Sequence, residues 1–290
     1  MSKPPLKPRR SLIFAPGNKP ELFAKAMKSG ADILTIDLED AIAPQHKTSA
    51  REKTIEWFAS NPIADDSIER IIRINCIRSL DGLEDLSAII QAGIEIPAIM
   101  LTKTKSPDEI QVYDELLKGP LENTRLHVII ETNEGLENCN LIAQCCNRID
   151  SILFGGVDMS AELRVQTEWT PLLYARSRLV HAAATANIDL IDVPYLDLEN
   201  MSGLKEEVEK CAELGITGKA AIHPKQISII NKAFTPTLAE VDKAREIIEK
   251  FEQSDSGLVL IDNKLIEKPV LRSLYRTLAI ADRLPKQDLE

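Results

Sequence analysis

Apolar runs rich in β-branched residues recur along the chain at a regular spacing. They span residues 10–17, 32–40, 70–75, 98–103, 126–132, 151–156, 188–195 and 218–224. The runs are apolar at consecutive positions, which is typical of parallel strands buried on both faces. Between them, segments such as 79–93, 106–119 and 135–147 carry apolar residues at helical spacing. The pattern therefore predicts a repeated strand–helix unit.

Eight such units predict a closed (β/α)8 barrel, the TIM-barrel fold. A doubly wound open sheet is the alternative, but it more often has a glycine-rich dinucleotide turn after its first strand, and neither GxGxxG nor GxxxxGK[ST] occurs. We assign residues 1–234 to the catalytic barrel domain. Residues 235–290 follow the eighth unit and predict a short C-terminal extension of a β-turn and a helix, packed on the barrel or on a neighbouring subunit.

Composition and charge limit the kinds of binding partner and the cellular compartment that we expect for this protein. The net charge of −10, from 35 basic and 45 acidic residues, argues against a nucleic-acid surface, because phosphate binding needs clustered Lys and Arg. No apolar run has the length of a membrane span, and the first residues lack the apolar core of a secretion signal. The five cysteines include no CxxC spacing and indicate reduced residues of a cytoplasmic protein.

Polar residues follow most of the predicted strands at the point where each strand ends. In a barrel these ends carry the chemistry, because the eight following loops meet there. The residues are Pro16, Gly17, Asn18, Asp37, Glu39, Asp40, Arg73, Asn75, Lys103, Glu131, Asp158, Asp192, Tyr195 and His223. We expect them to converge on one concave site.

Glu131 and Asp158 follow the fifth and sixth strands and predict a cation site. Magnesium normally takes one or two carboxylates together with waters and substrate oxygens. Alternatively, each acid only complements the dipole of the helix that follows it. Zinc is disfavoured because no pair of histidines has zinc-binding spacing, and no GxSxG nucleophile turn occurs. His223 is interpreted more simply as a ring that holds a loop.

Arg73 lies within the apolar run 70–75, where an unpaired guanidinium would be costly. Asp37, Glu39 and Asp40, at the end of the neighbouring strand, supply the acids that it needs. Such an arginine can bond a substrate carbonyl or carboxylate in a fork geometry; a purely structural ion pair is the alternative. We expect the three acids to neutralise Arg73 and to bond waters on the metal, without binding the metal directly.

Nine short motifs, read in chain order, resemble those of a known enzyme family. They are RRSLIFAPGN, DLEDAIAP, RIN, LTKT, ETNEGLEN, FGGVDMSAEL, LLYARSRLV, GKAAIHPKQI and LIEKPVLR, and they run from about residue 9 to residue 283. Each is weak alone, but their order is specific. The chain resembles the citrate lyase β-subunit-like, or CoA-ester lyase, branch of the HpcH/HpaI aldolase family.

The resemblance implies a TIM barrel, commonly trimeric, that binds Mg²⁺ and a CoA or acyl-carrier thioester. Family members make or cleave a carbon–carbon bond next to the thioester. By motif position, Glu131 and Asp158 match the metal carboxylates and Arg73 matches the active-site arginine. The expected substrate-binding residues are Arg73, Arg10, Pro16, Gly17, Asn18 and Lys103.

The implied reaction is Mg²⁺-dependent cleavage or formation of a 3-hydroxyacyl thioester, such as citryl- or malyl-CoA, with a keto acid and an acetyl thioester as the other partners. The expected catalytic residues are Arg73, Asp37 and Glu267. Glu267 lies in LIEKP, where the family has an aspartate that is thought to act as acid or base in a neighbouring subunit's site. A glutamate has a similar pKa and one more methylene.

Three alternatives stay open. A CoA-ester thioesterase could use the same groups, with water intercepting the thioester. A non-catalytic or accessory lyase subunit would be compatible with the change to Glu267. A metal-dependent 2-oxo acid aldolase, as in the other branch of the family, is disfavoured because that branch resembles DxEHG, whereas Asp40 stands here in place of the histidine.

Overall fold

The computed structural model describes residues 8–62, 68–119, 121–254, 258–261, 264–284 and 288–289. Eight parallel strands form a closed barrel in chain order, and the last strand pairs with the first. The strands are β1 (Ser11–Pro16), β2 (Ile33–Asp37), β3 (Glu69–Ile74), β4 (Ala98–Leu101), β5 (Arg125–Ile130), β6 (Ile149–Phe154), β7 (Asp189–Asp192) and β8 (Gly218–Ala221). The predicted (β/α)8 fold is confirmed.

Helices follow the strands. They are α1 (Phe23–Met27), α2 (Lys47–Ser60), α3 (Leu80–Ala92), α4 (Pro107–Leu116), α5 (Asn133–Gln144), α6 (Gly156–Leu163), α7 (Trp169–Ala186), α8 (Met201–Leu214) and α9 (Ile227–Phe234). Short 3-10 turns occupy Pro20–Leu22, Pro44–His46 and Pro224–Gln226. Among the described residues, no helix is both long enough and apolar enough to cross a membrane.

The barrel interior is filled by alternate residues of the strands, because successive side chains of a strand point to opposite faces. The buried layer comprises Leu12, Ile33, Ile71, Ala98, Met100, Ile129, Leu153, Ile191 and Ala220. The same alternation carries Asp37 and Arg73 to the interior at the C-terminal end. These two residues are also register partners on neighbouring strands. Strand geometry alone therefore brings this acid and this base together.

The N-terminal end of the barrel holds a largely buried ionic cluster. Arg9 donates from Nε to Glu69 Oε2 (2.7 Å), from Nη2 to Asp150 Oδ2 (2.8 Å) and from Nη1 to Asp189 Oδ2 (3.3 Å). His127 Nε2 lies 3.5 Å from Glu69 Oε1. Buried charges are tolerated when opposite charges and hydrogen bonds satisfy them. Each nitrogen of the Arg9 guanidinium thus has a carboxylate partner.

A second buried cluster lies between the barrel wall and the helices, and it corrects one expectation. Asp192 was expected to converge on the site, but its neighbour Ile191 faces the interior, so Asp192 faces outward. Its carboxylate accepts from Lys219 Nζ (2.6 Å) and Arg176 Nε (2.8 Å). Lys219 Nζ also donates to Glu207 Oε1 (2.7 Å). Asp192 is therefore a structural residue of the wall.

The described residues after Asn231 belong to a second compact unit. It contains α10 (Leu238–Glu252), the antiparallel pair β9 (Leu258–Ile261) and β10 (Lys264–Glu267), and α11 (Lys268–Ala281). Its own small core is formed by Ile248, Ile261, Ile266 and Leu271. This part of the chain is thus a helix, a two-stranded hairpin and a second helix.

We predict that Asp192→Asn lowers the free energy of unfolding by about 3–5 kcal/mol, because it removes one partner of a buried ion pair. Although burial opposes it, the charges of Lys219 and Arg176 lower the pKa of Asp192 to about 2. The stabilisation should therefore be present above about pH 4 and disappear as the pH falls towards 2. Chemical denaturation across this range measures both effects.

Glu207→Gln is the matched control, because Glu207 is partly exposed and its loss leaves Asp192 in contact with Lys219. It should cost clearly less stability. Equal losses for the two variants would contradict the outward placement of Asp192.

Candidate active site

Arg73 and Asp37 form a two-pronged ion pair at the C-terminal end of the barrel. Arg73 donates from Nε to Asp37 Oδ1 (2.7 Å) and from Nη2 to Oδ2 (2.6 Å). The guanidinium carbon lies 4.8 Å from the centroid of the Phe14 ring. Paired bonds of this kind fix the plane of the guanidinium as well as its position. Arg73 thus presents a fixed positive charge towards the ends of the strands.

Asp37 has its bonding capacity filled. Besides Arg73, Oδ1 accepts from the backbone N–H of Glu39 (2.8 Å) and Oδ2 from that of Ala41 (3.0 Å). Burial alone would raise the pKa of Asp37, but the charge and hydrogen bonds of Arg73, with these N–H groups, lower it. A carboxylate offers about four acceptor positions, and all are used. Asp37 orients Arg73 and has no oxygen lone pair left for a metal.

Glu39 continues the chain of charges across the strand ends. It is 4% exposed, and its Oε1 accepts from Lys103 Nζ. Its Oε2 lies 3.4 Å from Arg73 Nη1 and has no hydrogen-bond partner among the described residues. Burial raises the pKa of Glu39, Asp40 raises it further, and Arg73 and Lys103 oppose them. The carboxylate of Asp40 is more exposed, with Oδ1 3.6 Å from Lys103 Nζ.

Glu131 follows β5 directly and is 2% exposed. Its Oε1 accepts from the backbone N–H of Lys103 (2.7 Å). Burial raises the pKa of Glu131 to about 8, with further contributions from the charges of Glu39 and Asp158. Asp158 lies in the first turn of α6 and is partly exposed. The two predicted metal carboxylates therefore interact electrostatically at neighbouring strand ends.

Gly155, between β6 and α6, allows the closest approach to Glu131. A Cβ atom at Gly155 would lie 2.4 Å from Glu131 Cβ and 2.6 Å from Oε2. Because real Cβ atoms do not come that close, any side chain here would displace the carboxylate. The glycine lets the end of β6, and Asp158 after it, lie beside Glu131.

The acids at these strand ends fit a hard cation. Arg73 and Lys103 are in ion-pair contact with Glu39, and Lys103 is also close to Asp40. The pKa of Glu131 is raised. Glu39 Oε2 is buried and has no hydrogen-bond partner among the described residues. No group of three or more His, Cys, Asp or Glu with metal-site geometry occurs in the described ranges. Mg²⁺ commonly uses only one or two carboxylates and completes its shell with waters and substrate oxygens.

Lys47 and Asn75 hold the loop that follows β2. Lys47 Nζ donates to the carbonyl oxygens of Leu38 (2.9 Å) and Glu39 (2.7 Å) and to Asn75 Oδ1 (2.7 Å). Asn75 Nδ2 in turn donates to Leu38 O (2.9 Å) and to Asp85 (2.6 Å). Lys47 was not among the residues expected at the site from the sequence. Lys47 is the first residue of α2, where a positive charge interacts unfavourably with the helix dipole. A lysine at such a position indicates that nearby acceptors hold its ammonium.

The turn Pro16, Gly17 and Asn18 lies at this same end of the barrel. The N–H of Gly17 donates to Asp37 O (2.8 Å), and a Cβ there would lie 2.7 Å from the Leu38 side chain. The Asn18 Oδ1 atom is buried without a partner among the described residues. Gly17 thus joins the end of β1 closely to the end of β2.

Arg10 does not lie with these residues, contrary to the substrate-binding role expected for it. It precedes β1 and pairs with Asp32 before β2, donating from its N–H (2.8 Å), Nε (2.9 Å) and Nη2 (2.9 Å). Because the strands are parallel, this pair is at the N-terminal end of the barrel. The length of β1 separates it from Pro16.

His223 and Glu267 are the remaining expected residues. His223 follows β8, and its Nδ1 accepts from the N–H of Lys225 (3.1 Å), so the ring holds a loop as interpreted from the sequence. Glu267 is exposed at the end of β10, in the second compact unit. Its catalytic role stays a prediction.

We predict that Glu131 in the metal-free protein titrates near pH 8 and that Glu39→Gln lowers its pKa, because one neighbouring negative charge is removed. The carboxyl ¹³C chemical shift, followed by NMR against pH, measures the pKa directly. Glu134→Gln is the control, since Glu134 is exposed and pairs with Lys105, and it should leave the titration unchanged. An ordinary pKa near 4.5 for Glu131 would contradict this account of the site.

The closed parallel barrel carries acidic residues and a fixed arginine at its C-terminal end, the face at which (β/α)8-barrel enzymes have their active sites. The family model described as HpcH/HpaI aldolase/citrate lyase matches residues 10–224 of the chain. The chain therefore belongs to this family, and the predicted citrate lyase β-subunit-like branch of carbon–carbon lyases is confirmed.

Curated relatives match over nearly the whole chain. The citrate lyase subunit beta of Escherichia coli (strain K12) is 31% identical over 274 residues, covering 91% of this chain and 90% of the relative. The mitochondrial citramalyl-CoA lyase of Homo sapiens is 28% identical and covers 97% of this chain and 87% of the relative. These relatives are similar in length as well as in sequence.

Solved structures agree with the fold. RipC from Yersinia pestis is 36% identical with a TM-score of 0.70, covering 80% of this chain and 97% of that chain. CitE from Mycobacterium tuberculosis, in complex with magnesium, acetoacetate and coenzyme A, is 26% identical with a TM-score of 0.77, covering 95% of this chain and 98% of that chain.

Proposed function

We propose that this protein is a Mg²⁺-dependent carbon–carbon lyase acting on a 3-hydroxyacyl thioester such as citryl- or malyl-CoA. It would cleave or form the bond between a keto acid and an acetyl thioester carried by CoA or by an acyl-carrier protein. One observation carries the proposal: Glu131 is buried at the C-terminal end of the barrel near the like charges of Glu39 and Asp158, and Asp37 holds Arg73 in place at the same end. The magnesium, acetoacetate and coenzyme A in the CitE structure support it.

Glu131 and Asp158 are the residues that would hold Mg²⁺. When bound, the ion would act as a Lewis acid that lowers the pKa of the substrate hydroxyl and favours the developing keto group. The backbone N–H of Lys103 orients Glu131, and Gly155 leaves room for its carboxylate. The protein thus supplies two carboxylate ligands and leaves the other positions to water and substrate.

Arg73 would stabilise the charge that develops on the thioester oxygen when the carbon–carbon bond breaks. Its Nε and Nη2 are engaged by Asp37, so the guanidinium keeps one orientation during the reaction. A charge that is already oriented requires no reorganisation at the transition state, which is the basis of electrostatic catalysis. Asp37 would contribute to catalysis by holding Arg73 in this orientation.

The carbon of the resulting enolate must take up a proton, and Glu267 is the proposed donor in the cleavage direction. The same carboxylate would remove the proton in the condensation direction. In this proposal Glu267 reaches the site of a neighbouring subunit of a homo-oligomer, by analogy with the family motif that LIEKP resembles. Glutamate can perform the chemistry because its carboxyl has a pKa close to that of aspartate.

We expect Glu131→Gln and Asp158→Asn each to abolish Mg²⁺ binding, because each removes one of two carboxylate ligands. Isothermal titration calorimetry with MgCl₂ measures the affinity, and circular dichroism verifies that the variants fold. Glu134→Gln removes an exposed acid next to the site and should bind like the wild type. Unchanged affinity in both ligand variants would exclude this metal site.

A panel of thioesters tests the reaction itself. Citryl-, malyl-, methylmalyl- and acetyl-CoA, the last with keto acids, are incubated with the protein and Mg²⁺, and the products are identified by mass spectrometry. The proposal expects cleavage of a 3-hydroxyacyl thioester or the reverse condensation. Release of free CoA with an intact acyl group would identify a thioesterase, and no turnover on any member would favour an accessory role.

Glu267→Ala with wild-type rates would exclude Glu267 from catalysis.

A further inference from the structure

Lys103 has a backbone conformation that its place in the fold does not explain. Three non-glycine residues among those described have positive φ: Lys103 (52°), Arg164 (60°) and Asn187 (53°). The last two end α6 and α7, where a left-handed residue is an ordinary helix cap. Lys103 instead follows strand β4. A left-handed lysine costs free energy, so surrounding contacts must hold it there.

Those contacts use all the polar groups of Lys103. Its N–H donates to Glu131 Oε1 (2.7 Å), and its carbonyl accepts from Arg78 Nη2 (2.6 Å). Its Nζ donates to Glu39 Oε1 and lies 3.6 Å from Asp40 Oδ1. The main-chain N–H therefore binds Glu131, the proposed metal ligand, while the ammonium neutralises Glu39 and Asp40 in the loop after β2.

The ammonium is a positive charge within the acidic cluster that would attract a metal. It pairs with Glu39, and its charge also acts on Glu131. The positive charge of Lys103 would repel a divalent cation held by Glu131 and Asp158. The cation and the ammonium would also both be attracted to the negative charge of Glu39, so they would compete for it. The lysine thus stabilises the metal-free site and weakens the attraction for metal at the same time.

We propose that Lys103 is a positioning residue that orients Glu131 through its N–H and sets the Mg²⁺ affinity of the site through competition of its ammonium for Glu39. The substrate-binding role expected for Lys103 from the sequence stays a prediction. The inference rests on the proposed function, because it requires a metal at Glu131 and Asp158. A purely structural lysine would behave differently, since its loss would loosen the site and weaken metal binding.

The test is calorimetric titration of metal-free, full-length protein with MgCl₂ alone. Lys103→Met keeps the N–H and removes the charge, and we expect about tenfold tighter binding. Lys103→Arg keeps the charge and should bind like the wild type. Lys105→Met is the matched control: it removes the same charge two residues away, where Lys105 pairs with the exposed Glu134 (3.1 Å), and should change the affinity less than about twofold.

A second readout does not need metal. Without the ammonium, Arg73 is the one counter-charge within ion-pair distance of Glu39 among the residues that the structure describes, so the melting temperature of metal-free Lys103→Met should fall by about 2–6 °C. Added MgCl₂ should raise it more than in the wild type, because the variant binds metal more tightly. If Lys103→Met does not fold, Lys103→Gln removes the charge and retains a donor for Glu39.

The outcomes separate the two proposals. Wild-type protein that binds no Mg²⁺ overturns the proposed metal site and this inference with it. Wild-type protein that binds Mg²⁺, with equal or weaker affinity in Lys103→Met and Lys103→Gln, overturns only the role of Lys103.

Discussion

The placement of Arg73 inside the barrel is the constraint on which the rest of the site depends. A guanidinium among apolar strands needs a permanent counter-charge, and Asp37 provides it from the register position opposite. The charge and hydrogen bonds of Arg73 in turn lower the pKa of Asp37, and two N–H groups of the loop after β2 lower it further. Lys47 fixes that loop by binding its carbonyl groups. One buried charge therefore accounts for the conformation of an entire strand end.

The same constraint divides the acids of the run ILTIDLEDAIAP between different tasks. Asp37 has no acceptor capacity left, and Glu39 is bonded to Lys103 with one oxygen near Arg73. Asp40 lies at the more exposed rim. Glu131, by contrast, has a main-chain donor and acidic neighbours. The difference in counter-charges, and not the number of acids, is the reason why we propose Glu131 and Asp158 as the ligands for a cation.

The sequence predicted the fold, and it predicted which polar residues lie at the ends of the strands, because both follow from strand periodicity. Consecutive apolar runs locate the strands, and polar residues at their ends locate the C-terminal face. The errors arise where a shift of one residue reverses the direction of a side chain, or where a residue lies at the opposite end of the strand from the site. Asp192 is a strand end, but it is one residue out of phase with the interior. Arg10 is close to β1 in sequence, but at its other end.

Other features depend on contacts that a linear pattern does not contain. Lys47 is ten residues from the aspartate whose loop it holds, and only the packing of α2 brings it there. The role of Gly155 depends on the approach of a neighbouring strand. The left-handed conformation of Lys103 has no signal in the residue type, because lysine does not favour it. These contacts are tertiary, so the motifs could not reveal them.

The central claim is that Glu131 and Asp158 bind the metal while the acids after β2 fix Arg73. Anomalous diffraction from crystals soaked in MnCl₂ tests it most directly, since Mn²⁺ takes the same oxygen ligands as Mg²⁺. The account predicts one strong peak about 2.0–2.3 Å from carboxylate oxygens of both Glu131 and Asp158, with the pair of Arg73 and Asp37 intact. A peak bound by Asp37 or Asp40, with Glu131 free of metal, would contradict it.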